Sequence, residues 1–135
     1  MNLKLLNKIA IIAMACMLPI LIFIGIRSNK RKERELVEDS RYTIGYAYKW
    51  RSQYRSGSDI YYSYQVNGVD FHTRQYSGIS QRKLTGRRYF VKYYPPNPQN
   101  SRLLLEHPVP DWLKAPPNGW AEMPKLDLEN KRIVE

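Results

Sequence analysis

The chain has 135 residues, with 22 Lys and Arg against 12 Asp and Glu, a formal charge of +10, and 43% apolar residues. That length holds one ordinary domain of about 100–150 residues and no second of similar size. One cysteine and a strongly uneven distribution of residue types exclude a disulfide-stapled scaffold, a coiled coil and a disordered tail.

The charge is divided along the chain. Residues 1–41 carry 8 basic and 4 acidic groups, residues 42–94 carry 9 and 2, and residues 95–135 carry 5 and 6. The net charges are therefore +4, +7 and −1. All 11 tyrosines lie in the middle block, and 8 of the 9 prolines lie between Pro95 and Pro124. A membrane segment, a basic Tyr-rich domain and a Pro-rich end are expected.

After a short tail (1–8), residues 9–26 read IAIIAMACMLPILIFIGI, 18 residues without a charge. At ~1.5 Å per helical residue they cover ~27 Å, close to the ~30 Å hydrocarbon core. Pro19 is tolerated in a membrane span. The run is longer than the ~7–15 apolar residues of a secretory leader, and no small-x-small site follows it. Ala13-Met14-Ala15-Cys16 faintly resembles a lipoprotein cleavage site, but only seven apolar residues precede Cys16. A single transmembrane helix is the expectation. Lys4 and Lys8 precede it, whereas Arg27, Lys30, Arg31, Lys32 and Arg34 follow within eight residues. The positive-inside rule then puts the C-terminal domain in the cytoplasm, with the helix in the inner (cytoplasmic) membrane. The same cluster attracts anionic headgroups, although a stop-transfer flank alone accounts for it.

Residues 27–41 form a charged connector, of which 33–40 can continue the helix. From there the period becomes two: Tyr42, Ile44, Tyr46, Tyr48 and Trp50 alternate with Thr43, Gly45, Ala47 and Lys49, a half-buried strand. IYYSYQV and VDFHTRQY flank Asn67-Gly68, the preferred type I′ hairpin turn. A two-residue loop sets Val66 opposite Val69, Tyr64 opposite Phe71 and Tyr62 opposite Thr73 on one face. Gln65 with Asp70, Ser63 with His72 and Tyr61 with Arg74 share the other. A connection over 77–86 leads to RRYFVKYY (87–94), with Tyr89, Val91 and Tyr93 on one face and Phe90, Lys92 and Tyr94 on the other. Pro95 ends this strand, Asn97-Pro98 turns the chain, and RLLLE (102–106) is the last strand. The fold class is mainly β: a transmembrane helix followed by a small antiparallel barrel or sandwich of four to five strands over 42–106. The end, 107–135, is an extended Pro-rich strap pinned by Trp112 and Trp120.

The hairpin VNG and the stretch Gly86 to Leu105 carry a V-x-Y-x-P-x-N-P pattern at Val91, Tyr93, Pro95, Asn97 and Pro98. It resembles a broad bacterial family of membrane proteins with a domain of unknown function, which join one or two transmembrane helices to a small β domain. The resemblance covers about residues 42–105 and implies membrane location and a β fold. It supplies no catalytic residues.

Chemistry is sparse. Asp70, His72 and Arg74 share a strand face, which reads more simply as a solvated surface than as an acid–base group. His107 has no metal-ligand spacing to His72. No nucleophile triad, phosphate-cradling loop or zincin motif is present. No catalytic residue, cofactor or metal is expected. The remaining feature is a basic, aromatic surface with candidate contacts Tyr61, Arg74, Arg82, Lys83, Arg87 and Arg88, which Arg51 and Arg55 adjoin. Basic sheets with exposed rings suit single-stranded nucleic acid. An anchored chain suits better a core of tyrosines with basic groups near anionic lipid. The expected function is a membrane-anchored, non-enzymatic binding or assembly module with an unidentified protein partner. A membrane-tethered nucleic-acid or anionic-ligand binder is the alternative.

Overall fold

A computed structural model describes residues 2–54, 57–78 and 82–134, with the backbone alone at Arg82. The chain divides into two compact units, Met1–Glu35 and Leu36–Glu135. Helix α1 runs from Leu3 to Glu38 without interruption at Pro19. It outlasts the apolar run at both ends, so the connector is helical to Glu38. Residues 30–38 are mostly good helix formers, and Arg31 pairs with Glu35 one turn on at 3.0 Å. An 18-residue window of α1 has a mean hydropathy of 2.9, enough in length and composition to cross a membrane.

In the second unit, five antiparallel strands form one curled sheet: β1 (Arg41–Gln53), β2 (Gly57–Val66), β3 (Val69–Ser77), β4 (Arg87–Tyr94) and β5 (Asn97–Pro108). Their spatial order is β3-β2-β1-β4-β5, giving a half-barrel. The β2–β3 hairpin has the expected register, from Val66–Val69 through Tyr61–Arg74. Asn67 (φ 51°) and Gly68 (φ 78°) form its type I′ turn.

In the first strand, half-buried as expected, the small residues take the inner face. Thr43, Gly45 and Ala47 face inward and are buried, whereas Tyr46 and Tyr48 are exposed. The inner layer over β1 is filled by Ile60, Tyr62, Tyr64, Val91 and Leu103 from its neighbours, which leaves room there only for small residues. A β-bulge between Ala47 and Lys49 then shifts the phase, so that Trp50 packs inward. The β4–β5 reversal also differs. Pro95 and Pro96 form the turn, Tyr94 pairs with Asn97, and β5 begins at Asn97 instead of Arg102. Proline at these two positions costs no ladder bond, because the turn residues need none.

The curl brings edge strands β3 and β5 together, and side chains bridge them. Gln75 Nε2 donates to the Leu103 carbonyl at 3.2 Å, while Leu103 N–H donates to Gln75 Oε1 at 2.8 Å. One amide side chain thus does what a neighbouring strand's backbone would do. Gln99 Nε2 donates to the His72 carbonyl at 3.0 Å. Leu103 is 2% exposed, so Gln75→Leu strands its backbone donor and acceptor, a loss of ~1–3 kcal/mol. Hydrogen exchange at the Leu103 amide should accelerate sharply, and unchanged protection would refute this closure.

The outer face is half covered. Segment 109–126 lies across it as the expected strap, packing Val109, Trp112, Leu113, Trp120 and Leu126 around Phe90, Ile44 and Leu104. Tyr42 and Trp120 exchange two backbone hydrogen bonds of 2.8 Å. The tail is not wholly extended, since β6 (Lys125–Asp127) and β7 (Arg132–Val134) form a hairpin of their own. Asp127 caps its loop, accepting from the Glu129 and Asn130 amides at 3.1 Å and from Asn130 Nδ2 at 2.7 Å. These bonds to Asn130, and weaker help from Arg132, hold the Asp127 carboxyl below the usual range.

Candidate functional site

The tyrosines fall into two groups with different work. Tyr62, Tyr64, Tyr89 and Tyr93 point inward, and the hydroxyls of all but Tyr89 reach a distant part of the chain. Tyr62 meets Ser101 Oγ at 2.9 Å, Tyr64 donates to the Pro98 carbonyl, Tyr89 to Leu84 at 2.9 Å and Tyr93 to Asn118 at 2.7 Å. These rings cross-link the half-barrel and are not available to stack on a base. Tyr62 stacks on Tyr64, which stacks on Phe71, continuing the interior layer.

Desolvation by burial is the largest influence on all four phenols and raises their pKa, most strongly at Tyr62. The unfolded chain ionises tyrosine near pH ~10, whereas the folded state keeps these four protonated above that. Their contribution to stability is complete below pH ~10 and is lost as pH rises beyond it. Tyrosinate absorbance from Tyr62, the most strongly shifted of the four, should therefore appear only together with loss of the sheet's circular dichroism. Full reversible titration with the sheet intact would contradict the buried network.

The candidate contacts separate in the structure. Tyr61 and Arg74 are register partners on the outer face, and Lys49 Nζ stands 5.3 Å from the Tyr61 ring centroid. Arg74 pairs at 3.5 Å with the buried Asp59, whose Oδ2 also accepts from Gln53 Nε2 at 2.7 Å. Lys83 and Arg87 are exposed. Arg82 opens a 3-10 turn, Arg82–Leu84. Arg55, which was expected to adjoin the cluster, lies outside the described residues. Arg88 is a correction: its guanidinium turns onto the strap, Nη1 donating to the Asp111 carbonyl at 3.0 Å and to Pro110 at 3.5 Å, and Nη2 to Leu113. It is a structural clamp and not a free surface charge. Five acceptor-seeking donors in a planar fork suit that role, and no local pattern in RRYFV distinguishes Arg88 from Arg87.

Residues outside the candidate set complete the uncovered face. Between strap and hairpin lies an open groove of about 540 Å³ lined by Ile44, Tyr46, Ser63, Gln65, Asp70 and His72, with Arg88 at its side. His72 meets Tyr48 edge-on, with ring centroids 6.1 Å apart. Gln65 Nε2 donates to Asp70 Oδ1 at 3.1 Å. The outward phase of β1, set by its small inner residues, brings Tyr46 and Tyr48 here. Reading Gly45 and Ala47 as the inward face would have found them.

In the first unit, a second recess of about 470 Å³ runs along α1 and is lined by Phe23, Ile26, Arg27, Lys30, Arg31 and Arg34. No cluster of three or more His, Cys, Asp or Glu side chains suited to a metal occurs among the described residues. Comparison with family models, with curated proteins and with solved structures gives no match. The V-x-Y-x-P-x-N-P residues have structural places: Val91 and Tyr93 are in the inner core, Pro95 is in the turn, Asn97 opens β5, and the Pro98 carbonyl receives the Tyr64 hydroxyl.

Proposed function

We propose that the chain is a membrane-anchored, non-enzymatic binding or assembly module, and one of the bacterial membrane proteins whose strand-and-turn signature it resembles. The observation that carries this reading is α1, whose residues 9–26 contain no charge and whose apolar window reaches a mean hydropathy of 2.9. The β unit supports a binding role because the strap packs over Ile44, Phe90 and Leu104 and leaves the outer face around Tyr46, Tyr48, Lys49, Tyr61 and Arg74 uncovered. The larger basic flank after residue 26 favours a cytoplasmic location for that unit, at an inner membrane.

Alkaline carbonate washing and C-terminal reporter fusions test the reading together. The full-length chain should stay in the washed membrane with its N-terminal residues intact, and a cytoplasmic reporter should be active. Release of a shortened chain would identify 1–26 as a cleaved leader and overturn the anchor. An active periplasmic reporter would reverse the orientation. Crosslinking in the native membrane should capture one reproducible protein neighbour, and recovery of uncrosslinked monomer alone would remove the assembly role.

A further inference from the structure

The basic residues after the apolar run are not spread evenly around α1. At 3.6 residues per turn, Arg27, Lys30, Arg31 and Arg34 fall within an arc of about 100°, directly above Phe23 and Ile26. Lys32 lies outside that arc, and Glu33 also lies off it. Spacings of three and four place like charges side by side at 27–30, 27–31, 30–34 and 31–34, an arrangement that works against a helix unless an anion relieves it. Among the described residues, only Arg31 of the four has a carboxylate partner, Glu35 at 3.0 Å. A flank that served only to stop transfer and set orientation has no need of one face, since the rule counts charges without regard to angle.

From this one-sided stripe and the apolar lining beneath it, we infer that α1 carries a binding site for an anionic phospholipid bearing two phosphates, such as a cardiolipin. The inference rests on the membrane-anchor reading. Arg27 with Lys30, and Arg31 with Arg34, make two tiers of two cations each, one tier per phosphate. Both tiers lean towards the apolar end, because side chains of an α-helix point towards its N-terminus. The long stems of Arg31 and Arg34 therefore reach back to the headgroup layer, which is ~5–8 Å thick on each side of the hydrocarbon core. Three of the four are arginines, whose planar forks match phosphate oxygens two at a time. Phe23 and Ile26 lie one turn deeper, where the lipid's glycerol ends and its acyl chains begin. The recess of about 470 Å³ between these six side chains is the place for the headgroup.

The test uses the full-length chain in phosphatidylcholine nanodiscs containing either cardiolipin or twice as much phosphatidylglycerol, so that total lipid charge is matched. Native mass spectrometry then counts the anionic lipid retained. The expected result is one cardiolipin per chain, enriched well above phosphatidylglycerol. The informative variant moves two cations off the stripe without changing composition: Arg27→Ser, Ser28→Arg, Asn29→Lys and Lys30→Asn together. Because one of the two tiers then turns away from the lipid and leaves one phosphate unpaired, that change should lower cardiolipin retention by at least about tenfold. Equal retention of the two lipids, or equal retention by the rearranged variant, overturns the site and leaves the anchor standing. A chain that carbonate washing releases overturns both.

Discussion

Gly119→Ala is expected to destabilise the β unit by about 3 kcal/mol or more, because two independent penalties coincide there. Gly119 has φ +68°, in the left-handed region that L side chains rarely occupy. Its absent Cβ would also fall inside contact distance of the Tyr42 carbonyl, and 2.9 Å from the Tyr93 hydroxyl oxygen. Neither obstacle can move cheaply. The Tyr42 carbonyl receives the Trp120 N–H, and the Tyr93 hydroxyl donates to the Asn118 carbonyl. Arg41 locks the same turn, donating from Nε to Asn118 at 2.7 Å and from Nη2 to Gly119 at 3.0 Å. Gly68 provides the control, since its φ is +78° but nothing lies within 4 Å of its missing Cβ. Gly68→Ala should cost only the conformational part, about 1–2 kcal/mol. Denaturant unfolding of the full chain in detergent would measure both. Equal costs would mean that the Gly119 turn is not seated as described.

What could be read from residues alone follows from how local each signal is. The β2–β3 hairpin was legible because turn chemistry and alternation are both contained in seventeen consecutive residues and agree on one register. In β1 alternation was equally plain, yet which phase faced inward depended on Tyr62 and Tyr64 of β2 and on Val91 of β4. Those side chains fill the interior, so large residues on β1 have nowhere to go but out. At Gly45 a Cβ would come within 2.5 Å of Val91 Cγ2. The bulge after Ala47 was hidden for the same reason, because one extra residue in a run of alternating rings changes no local pattern. The two tryptophans of the strap were legible as pins, since large apolar rings in a Pro-rich segment need a surface to bury them. The surface they cover was not, because Phe90 and Leu104 come from different strands of the sheet.

The candidate contacts show the same division. Tyr61 and Arg74 follow from hairpin register and are partners as expected. Arg88 follows from nothing nearby, because its acceptors lie more than twenty residues on. Arg88→Ala is the second large expectation. It removes a charged donor from three carbonyls, of which those of Pro110 and Leu113 are partly buried, and should cost about 2–3 kcal/mol. The backbone bond from Val109 N–H to the Arg88 carbonyl, 2.8 Å, survives the substitution, so the strap should loosen at 110–113 without leaving the sheet. Trp112 packs in that stretch and reports the change as a red shift in its emission. Arg88→Lys should recover less than half of the loss, since one ammonium cannot span acceptors that a planar fork reaches together. Arg87→Ala, at the exposed neighbour, should stay within about 0.5 kcal/mol of the parent. If Arg87→Ala and Arg88→Ala behave alike, the clamp is refuted and Arg88 returns to the surface charges available for a ligand. If they differ as expected, the +7 of the middle block overstates the charge free to meet a partner. Arg88 then belongs to the strap, and Arg74 is balanced in part by Asp59.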